Sequence, residues 1–200
     1  MVSKSRLLVV AGVLVLLGLT VPSTLRADDC GSTVGNLVAN CGFESGTLSG
    51  WNFVPSSSGS LLIVGTATPH SGTYAAAFGA NCCSDDYIYQ NLTTTPGGTY
   101  DISFWLYVGS DSNGFNVSWE GTPIYSNINN GFVYTELSFV ETATGSSTTL
   151  EFGGYNPPSW SYLDDVSVVE VAPVPEPSTM LLLGFGVMGL GGLTKRKNFV

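Results

Sequence analysis

Tyr100-Asp-Ile-Ser-Phe-Trp-Leu-Tyr-Val108 alternates without a break. Tyr100, Ile102, Phe104, Leu106 and Val108 fall on one face of an extended chain, and Asp101, Ser103, Trp105 and Tyr107 on the other. A period of two marks a strand buried on one side. The first set therefore faces a core between two sheets, and the second faces outward. An outward Trp beside an outward Tyr is uncommon on a surface. On either side of this stretch the chain reads as more of the same. Apolar or alternating runs at 61–65, 73–78, 87–92, 115–119, 133–140, 148–152 and 163–171 are rich in Val, Ile, Thr and aromatics. Gly, Asn, Ser and Pro separate them. No amphipathic helix interrupts the stretch from 28 to 172, and there is no internal repeat. The pattern predicts an all-β fold, a sandwich or barrel.

The two ends of the chain read differently. Lys4 and Arg6 precede an apolar run at 7–19 and a small-residue site at Leu25-Arg26-Ala27, the layout of a secretory signal peptide over 1–27. At the other end, Pro175-Glu-Pro177 is followed by the apolar run 180–193 and by Lys195-Arg196-Lys197. The prolines stop any helix from entering from upstream. A short span over about 179–194 can begin after them, and the basic cluster prefers the cytoplasmic side. The span is shorter than the ~20 residues of a relaxed transmembrane helix. Its glycines, at 184, 186, 189, 191 and 192, weaken it further as a helix. Residues 28–172 between these devices make one domain.

Charge excludes some functions. All 6 Lys and Arg lie in the terminal devices, while of the 15 acidic residues only Glu176 lies beyond position 174. The domain has no cationic side chain to neutralise phosphate, so nucleic acid is not a partner. Some carboxylates need another counter-charge, and a divalent cation is the natural one. Cys30, Cys41, Cys82 and Cys83 are expected to form disulfides in an exported chain. A bond between the adjacent Cys82 and Cys83 would be strained, so each is expected to pair with one of Cys30 and Cys41. The spacing fits no standard zinc pattern.

The C-terminal order of knuckle, span and basic tail resembles the PEP-CTERM sorting signal of exported bacterial proteins, over 173–197. That resemblance implies a membrane protease, an exosortase, acting near Pro175-Glu176-Pro177. The protein would be held in the membrane transiently and then released to the cell surface or exopolysaccharide matrix. Within the domain, Asn40-Cys-Gly-Phe-Glu44, Gly50-Trp51, His70-Ser-Gly-Thr-Tyr74, Gly97 to Trp105 and Leu163-Asp-Asp-Val-Ser-Val168 occur in one order. This order is similar to galactose-binding-like jelly rolls, and in particular to the CenC-type carbohydrate-binding modules of bacterial cellulases and xylanases. The resemblance implies a jelly-roll β-sandwich with one structural calcium. Glu44 and Asp164 would be its carboxylate ligands, with Asp165 as the alternative to Asp164. Cys41 stands where the family usually has glycine.

Flat aromatic rings bind sugar faces, and Trp105, Tyr107 and Trp160 are the first candidates, with Trp119 and Tyr155 behind them. Trp105 and Tyr107 serve equally as a ligand platform or as surface packing. Trp160, in Asn156-Pro-Pro-Ser-Trp160, is expected to be exposed. Trp51 is expected to be structural, and the parity of Trp119 with Phe115 and Val117 places it in the core. His70 is the only histidine, and no catalytic triad can be assembled around it. The expected function is a non-catalytic glycan-binding protein of the surface or matrix. The alternatives are a structural matrix protein without glycan affinity, or a glycoside hydrolase built on a carboxylate pair.

Overall fold

The computed structural model describes residues 30–172, apart from Ser58, Cys82, Cys83, Ser110 and Asp111. The expected signal peptide and the expected sorting segment with its span fall outside these residues. So do Pro175, Glu176 and Pro177.

A short 3-10 turn, Cys30–Ser32, precedes ten strands: β1 (Asn52–Val54), β2 (Leu62–Gly65), β3 (Ala75–Phe78), β4 (Asp86–Thr93), β5 (Thr99–Val108), β6 (Gly114–Trp119), β7 (Thr122–Ile128), β8 (Phe132–Thr142), β9 (Ser147–Tyr155) and β10 (Ser161–Glu170). They form two antiparallel sheets of five, ordered β1-β4-β9-β6-β7 and β2-β3-β10-β5-β8. Apart from the β2-β3 and β6-β7 neighbours the order is non-sequential, as in a jelly roll. Among the described residues there is no α-helix. The structure is the all-β sandwich that the alternation predicts.

In β5, Tyr100, Ile102, Phe104, Leu106 and Val108 are all buried, and Asp101, Ser103, Trp105 and Tyr107 point away from the core. The core between the sheets is largely aromatic. Phe152 lies at its centre, 5.1 Å from Phe104 and 5.9 Å from Trp51, ring to ring. Trp51 stacks on Phe43 and donates from Nε1 to the Asn40 carbonyl, so it is structural as expected. Trp119 is buried and donates to the Thr142 carbonyl.

Two strands are not apparent from the hydrophobic pattern. β1 is only three residues long, and all three are exposed. β7 is an edge strand that contains Pro123, a residue tolerated in a sheet only where no ladder donor is needed. A signal for β7 does exist in Glu120-Gly121. Both residues have positive φ, 52° and 76°, the two-residue turn that closes a hairpin between Trp119 and Thr122.

The cysteine pairing differs from expectation. Cys30 is bonded to Cys41, with Cα atoms 6.0 Å apart, so neither remains to pair with Cys82 or Cys83. The reason is topological. The strap from Asn36 to Cys41 runs along β10, with Leu37 N donating to Val168 O and Val166 N to Cys41 O. The turn at Cys30 touches the same strand. Cys82 and Cys83, which lie outside the described residues, precede β4 in the other sheet.

Candidate functional site

The outer face of the second sheet holds the residues singled out by the sequence. Trp105 does project there, but His70 lies flat on it, with ring centroids 3.7 Å apart and planes 12° apart. Tyr134 leans on His70, and Tyr107 is wedged between Tyr134 and Tyr162, 5.7 Å from each. The cluster pins the loop before β3 to the sheet. The Tyr134 hydroxyl donates to Thr68 O at 2.6 Å, and burial raises its pKa. Trp160 is not part of this group. It is half-buried against Gly79, where an added Cβ would come within 2.6 Å of its ring, so it does not project into solvent as expected. Beside Trp105, toward the Cys30 end, a cavity of about 580 Å³ is walled by Asp101, Ser103, Glu136 and Ser167.

The acidic pair in β10 anchors the same loop. Opposite β5 the register shifts between Asp164 and Ser167, and Asp165 takes a φ of 49° in this bulge. Asp164 is fully buried. Its Oδ2 accepts from the backbone N–H of His70 and Ser71, and its Oδ1 from that of Asp165. Burial, and then the neighbouring Asp165, push its pKa up to about 7. Asp165 has both oxygens engaged, by His70 Nδ1 at 2.7 Å and by Ser71 Oγ at 2.8 Å. Ser71 therefore bonds the carboxylate and not the histidine, which is not the relay of a serine hydrolase. Glu44 meets the other end of the loop, its Oε1 accepting from Thr73 N and Tyr74 N.

Glu44 and Asp164 thus bracket residues 70–74 from the two ends of the domain. A calcium ion here would meet hard oxygens with no Lys or Arg among the described residues to offset them, on carboxylates that already accept backbone N–H groups. Asp165, the alternative ligand, is engaged in the same way, by His70 and Ser71. No three His, Cys, Asp or Glu converge on one point among the described residues, so backbone carbonyls would complete the shell.

The outer face of the first sheet is built differently. Strand register sets Asn52, Tyr89, Glu151, Ser118 and Pro123 side by side across β1, β4, β9, β6 and β7. The next row is Val54, Tyr87, Gly153, Asn116 and Ser126. Their core-facing neighbours, Ile88, Leu150, Phe152 and Val117, are fully buried, which forces these rows outward. The face carries an open trough. One part, of about 310 Å³, lies over Tyr87, Asn116 and Glu151. It shares Ser118, Gly121 and Glu151 with a second part of about 510 Å³ that reaches Glu120 and Thr149. At that end the Glu120 carboxylate accepts from Thr144 N, Thr144 Oγ1 and Thr148 Oγ1, bonds that lower its pKa. At the other end Asp85 Oδ2 accepts from Tyr87 OH at 3.1 Å and from Asn116 Nδ2 at 2.8 Å. Burial raises the pKa of Asp85. These residues escape a search for tryptophan platforms, because the trough is lined by a tyrosine, an amide and carboxylates. The alternation of β4, Tyr87-Ile-Tyr-Gln-Asn91, was the available signal.

Solved structures of known proteins share this architecture. TmCBM61, in complex with β-1,4-galactotriose, has 19% identity and a TM-score of 0.55, covering 68% of this chain and 99% of that one. The C-terminal family 22 carbohydrate-binding module of Clostridium thermocellum Xyn10B has 13% identity and a TM-score of 0.53, covering 72% and 99%. The K3 cleaved adhesin domain of Lys-gingipain from Porphyromonas gingivalis has 14% identity and a TM-score of 0.52, covering 66% and 98%. Each consists almost wholly of this unit, so a sandwich of this kind stands alone as a folded module. No curated protein sequence matches the chain. Residues 173–197 match the PEP-CTERM protein-sorting motif. Residues 35–164 match the Carbohydrate binding domain family CBM_4_9, which makes this chain a member of that family, joined to a C-terminal sorting motif of exported proteins.

Proposed function

We propose that the protein is a non-catalytic glycan-binding module whose ligand lies along the trough on the outer face of the first sheet. The observation that carries this reading is the contrast between the two outer faces. On the second sheet, Trp105 is stacked by His70 and Tyr107 is enclosed by tyrosines. On the first, Tyr87, Asn116, Ser118 and Glu151 line an open groove. Aromatic rings with flanking amides and carboxylates are what a sugar needs, apolar contact for its ring faces and partners for its hydroxyls. The galactotriose bound by TmCBM61 supports a β-linked polysaccharide as the first ligand to try. Calcium held by Glu44 and Asp164 would brace the loop from 70 to 74 without touching the trough. The sorting motif supports export and transient membrane anchoring. Exosortase cleavage near Pro175-Glu176-Pro177, and delivery to the surface or exopolysaccharide matrix, complete the proposal.

The test is calorimetric titration of residues 28–172 with galactan, xylan and mixed-linkage glucan oligosaccharides. Wild-type protein should bind at least one of them, and Tyr87→Ala and Glu151→Ala should each weaken that binding while leaving the fold intact. Loss of binding in Trp105→Ala alone would move the site to the second sheet. No binding by wild type would favour a structural matrix protein, and release of reducing ends would favour a glycoside hydrolase.

A further inference from the structure

Asp85 presents a problem that the glycan reading leaves open. Its Oδ1 is buried and has no hydrogen-bond partner among the described residues. A buried polar atom left unpaired costs about 1–3 kcal/mol, so its retention calls for an explanation. The next residue, Asp86, shows what a structural carboxylate looks like in this fold. It is fully buried, with Oδ1 accepting from Ser56 N and Oδ2 from Leu61 N. Asp85 instead takes both its donors on one oxygen, and both come from the trough: Tyr87 OH and Asn116 Nδ2. Those two side chains stand on adjacent outer positions around Gly153, where a Cβ would lie 2.4 Å from the Tyr87 ring and 2.9 Å from Asn116 Nδ2.

We propose that Asp85 is a positioning residue that fixes the hydrogen-bond polarity of the glycan trough. An ionised carboxylate only accepts. Tyr87 must therefore commit its single proton to Asp85, which leaves the phenol oxygen with only lone pairs to offer a ligand. Asn116 turns its N–H donors toward Asp85 and the Tyr87 oxygen and keeps its carbonyl oxygen. With Glu151 beside them, this end of the trough presents acceptors, and it reads the donating hydroxyls of a neutral sugar. An anionic sugar unit, whose carboxylate brings acceptors and negative charge, is turned away. The inference rests on the trough being the glycan site.

The experiment is a double-mutant cycle on residues 28–172, read by calorimetry with β-1,4-galactotriose or whichever neutral oligosaccharide wild type binds. Asp85→Asn can donate to Tyr87 and so allows its proton to turn outward; Tyr87→Phe removes the phenol. Each should weaken binding about tenfold, near the value of one hydrogen bond. The double variant should be no weaker than either single one, because Asp85 acts through Tyr87. Asp85→Asn keeps a polar atom in the unpaired place but removes the part-buried charge, so its melting midpoint should stay near that of wild type, and Tyr87→Phe carries the test if it does not. Unchanged affinity in Asp85→Asn overturns the proposal and leaves the glycan site standing. Losses that multiply in the double variant also overturn it. A wild-type protein that binds no neutral glycan overturns the proposal and the glycan reading together.

Discussion

Gly153 is the position where the trough can be closed with one methyl group. Its backbone φ is not in the left-handed region, so alanine is conformationally allowed there. The new Cβ would stand 2.4 Å from Tyr87 Cε1 and 2.9 Å from Asn116 Nδ2. Ordinary contact needs roughly 3.5 Å or more, so the ring must move by about 1 Å and swing out over the groove. It would lose the 3.1 Å bond from its hydroxyl to Asp85. That loss costs about 1 kcal/mol, against which alanine recovers about 0.5–1 kcal/mol of glycine's backbone entropy in a strand. The two nearly cancel, so the melting midpoint of Gly153→Ala should stay within about 4 °C of wild type. Binding should suffer more. A sugar covering about 60 Å² of the Tyr87 ring contributes about 1.5 kcal/mol at ~25 cal/mol per Å², or about tenfold in affinity. Calorimetric titration and scanning calorimetry on the same sample separate the two quantities. Unaltered affinity in a folded Gly153→Ala protein would refute the placement of Tyr87 in the binding surface. A midpoint lowered by more than about 10 °C would refute the view that this face is free to rearrange.

Other expectations rest on different parts of the molecule. Replacing both Cys30 and Cys41 by alanine removes a cross-link of sequence separation 11, worth about 3 kcal/mol in the chain-entropy account, and should lower the midpoint by roughly 6–10 °C in scanning calorimetry without changing glycan affinity. Trp105→Ala strips the ring from beneath His70 and should destabilise by about 2 kcal/mol in urea unfolding, again with affinity intact. Asp164 supplies a pH dependence. Its folded pKa, about 7, lies above the ordinary value of 3.8, so the folded state holds a proton that the unfolded chain releases. Stability without metal is therefore full below about pH 4 and falls as pH rises toward 7. Melting in chelator should show that decline, saturating calcium should abolish it at neutral pH, and Asp164→Asn should show neither effect.

The sandwich was legible because burial in a β-strand writes itself as alternation, and β5 carries that pattern without a fault. The strands it missed are those whose alternation is absent or broken, although Ile124 and Tyr125 of β7 do pack against the core. β1 is wholly exposed, and β7 lies at an edge with a proline in it. The aromatic face was legible in direction but not in state. Parity alone turned Trp105 and Tyr107 outward, while the loop that brings His70 down onto Trp105 is set by Asp164 and Asp165, which lie far along the chain. The cysteines failed for a related reason. Which pairs meet depends on the strap along β10, and that strap is held by bonds such as Asn36 Nδ2 to Val166 O across 130 residues. Local spacing does not contain such information.

One sandwich thus uses its two outer faces for different purposes, and the division follows from where the connections go. The loop before β3 returns to β10, the middle strand of the second sheet, and lays His70 on the Trp105 face, while the strap from Asn36 runs alongside β10 by backbone hydrogen bonds. The Trp105 cluster and the Glu44–Asp164 pair serve to hold them down. In the first sheet the middle strand is β9, and its neighbours β4 and β6 present Tyr87, Asn116 and Ser118 to the open trough. Glycine at 153 keeps the centre low. A domain without Lys or Arg cannot grip an anionic polymer by charge, so recognition falls to hydroxyl-reading acceptors and aromatic faces, and on the first sheet Tyr87, Asn116 and Glu151 bring these together in one open trough.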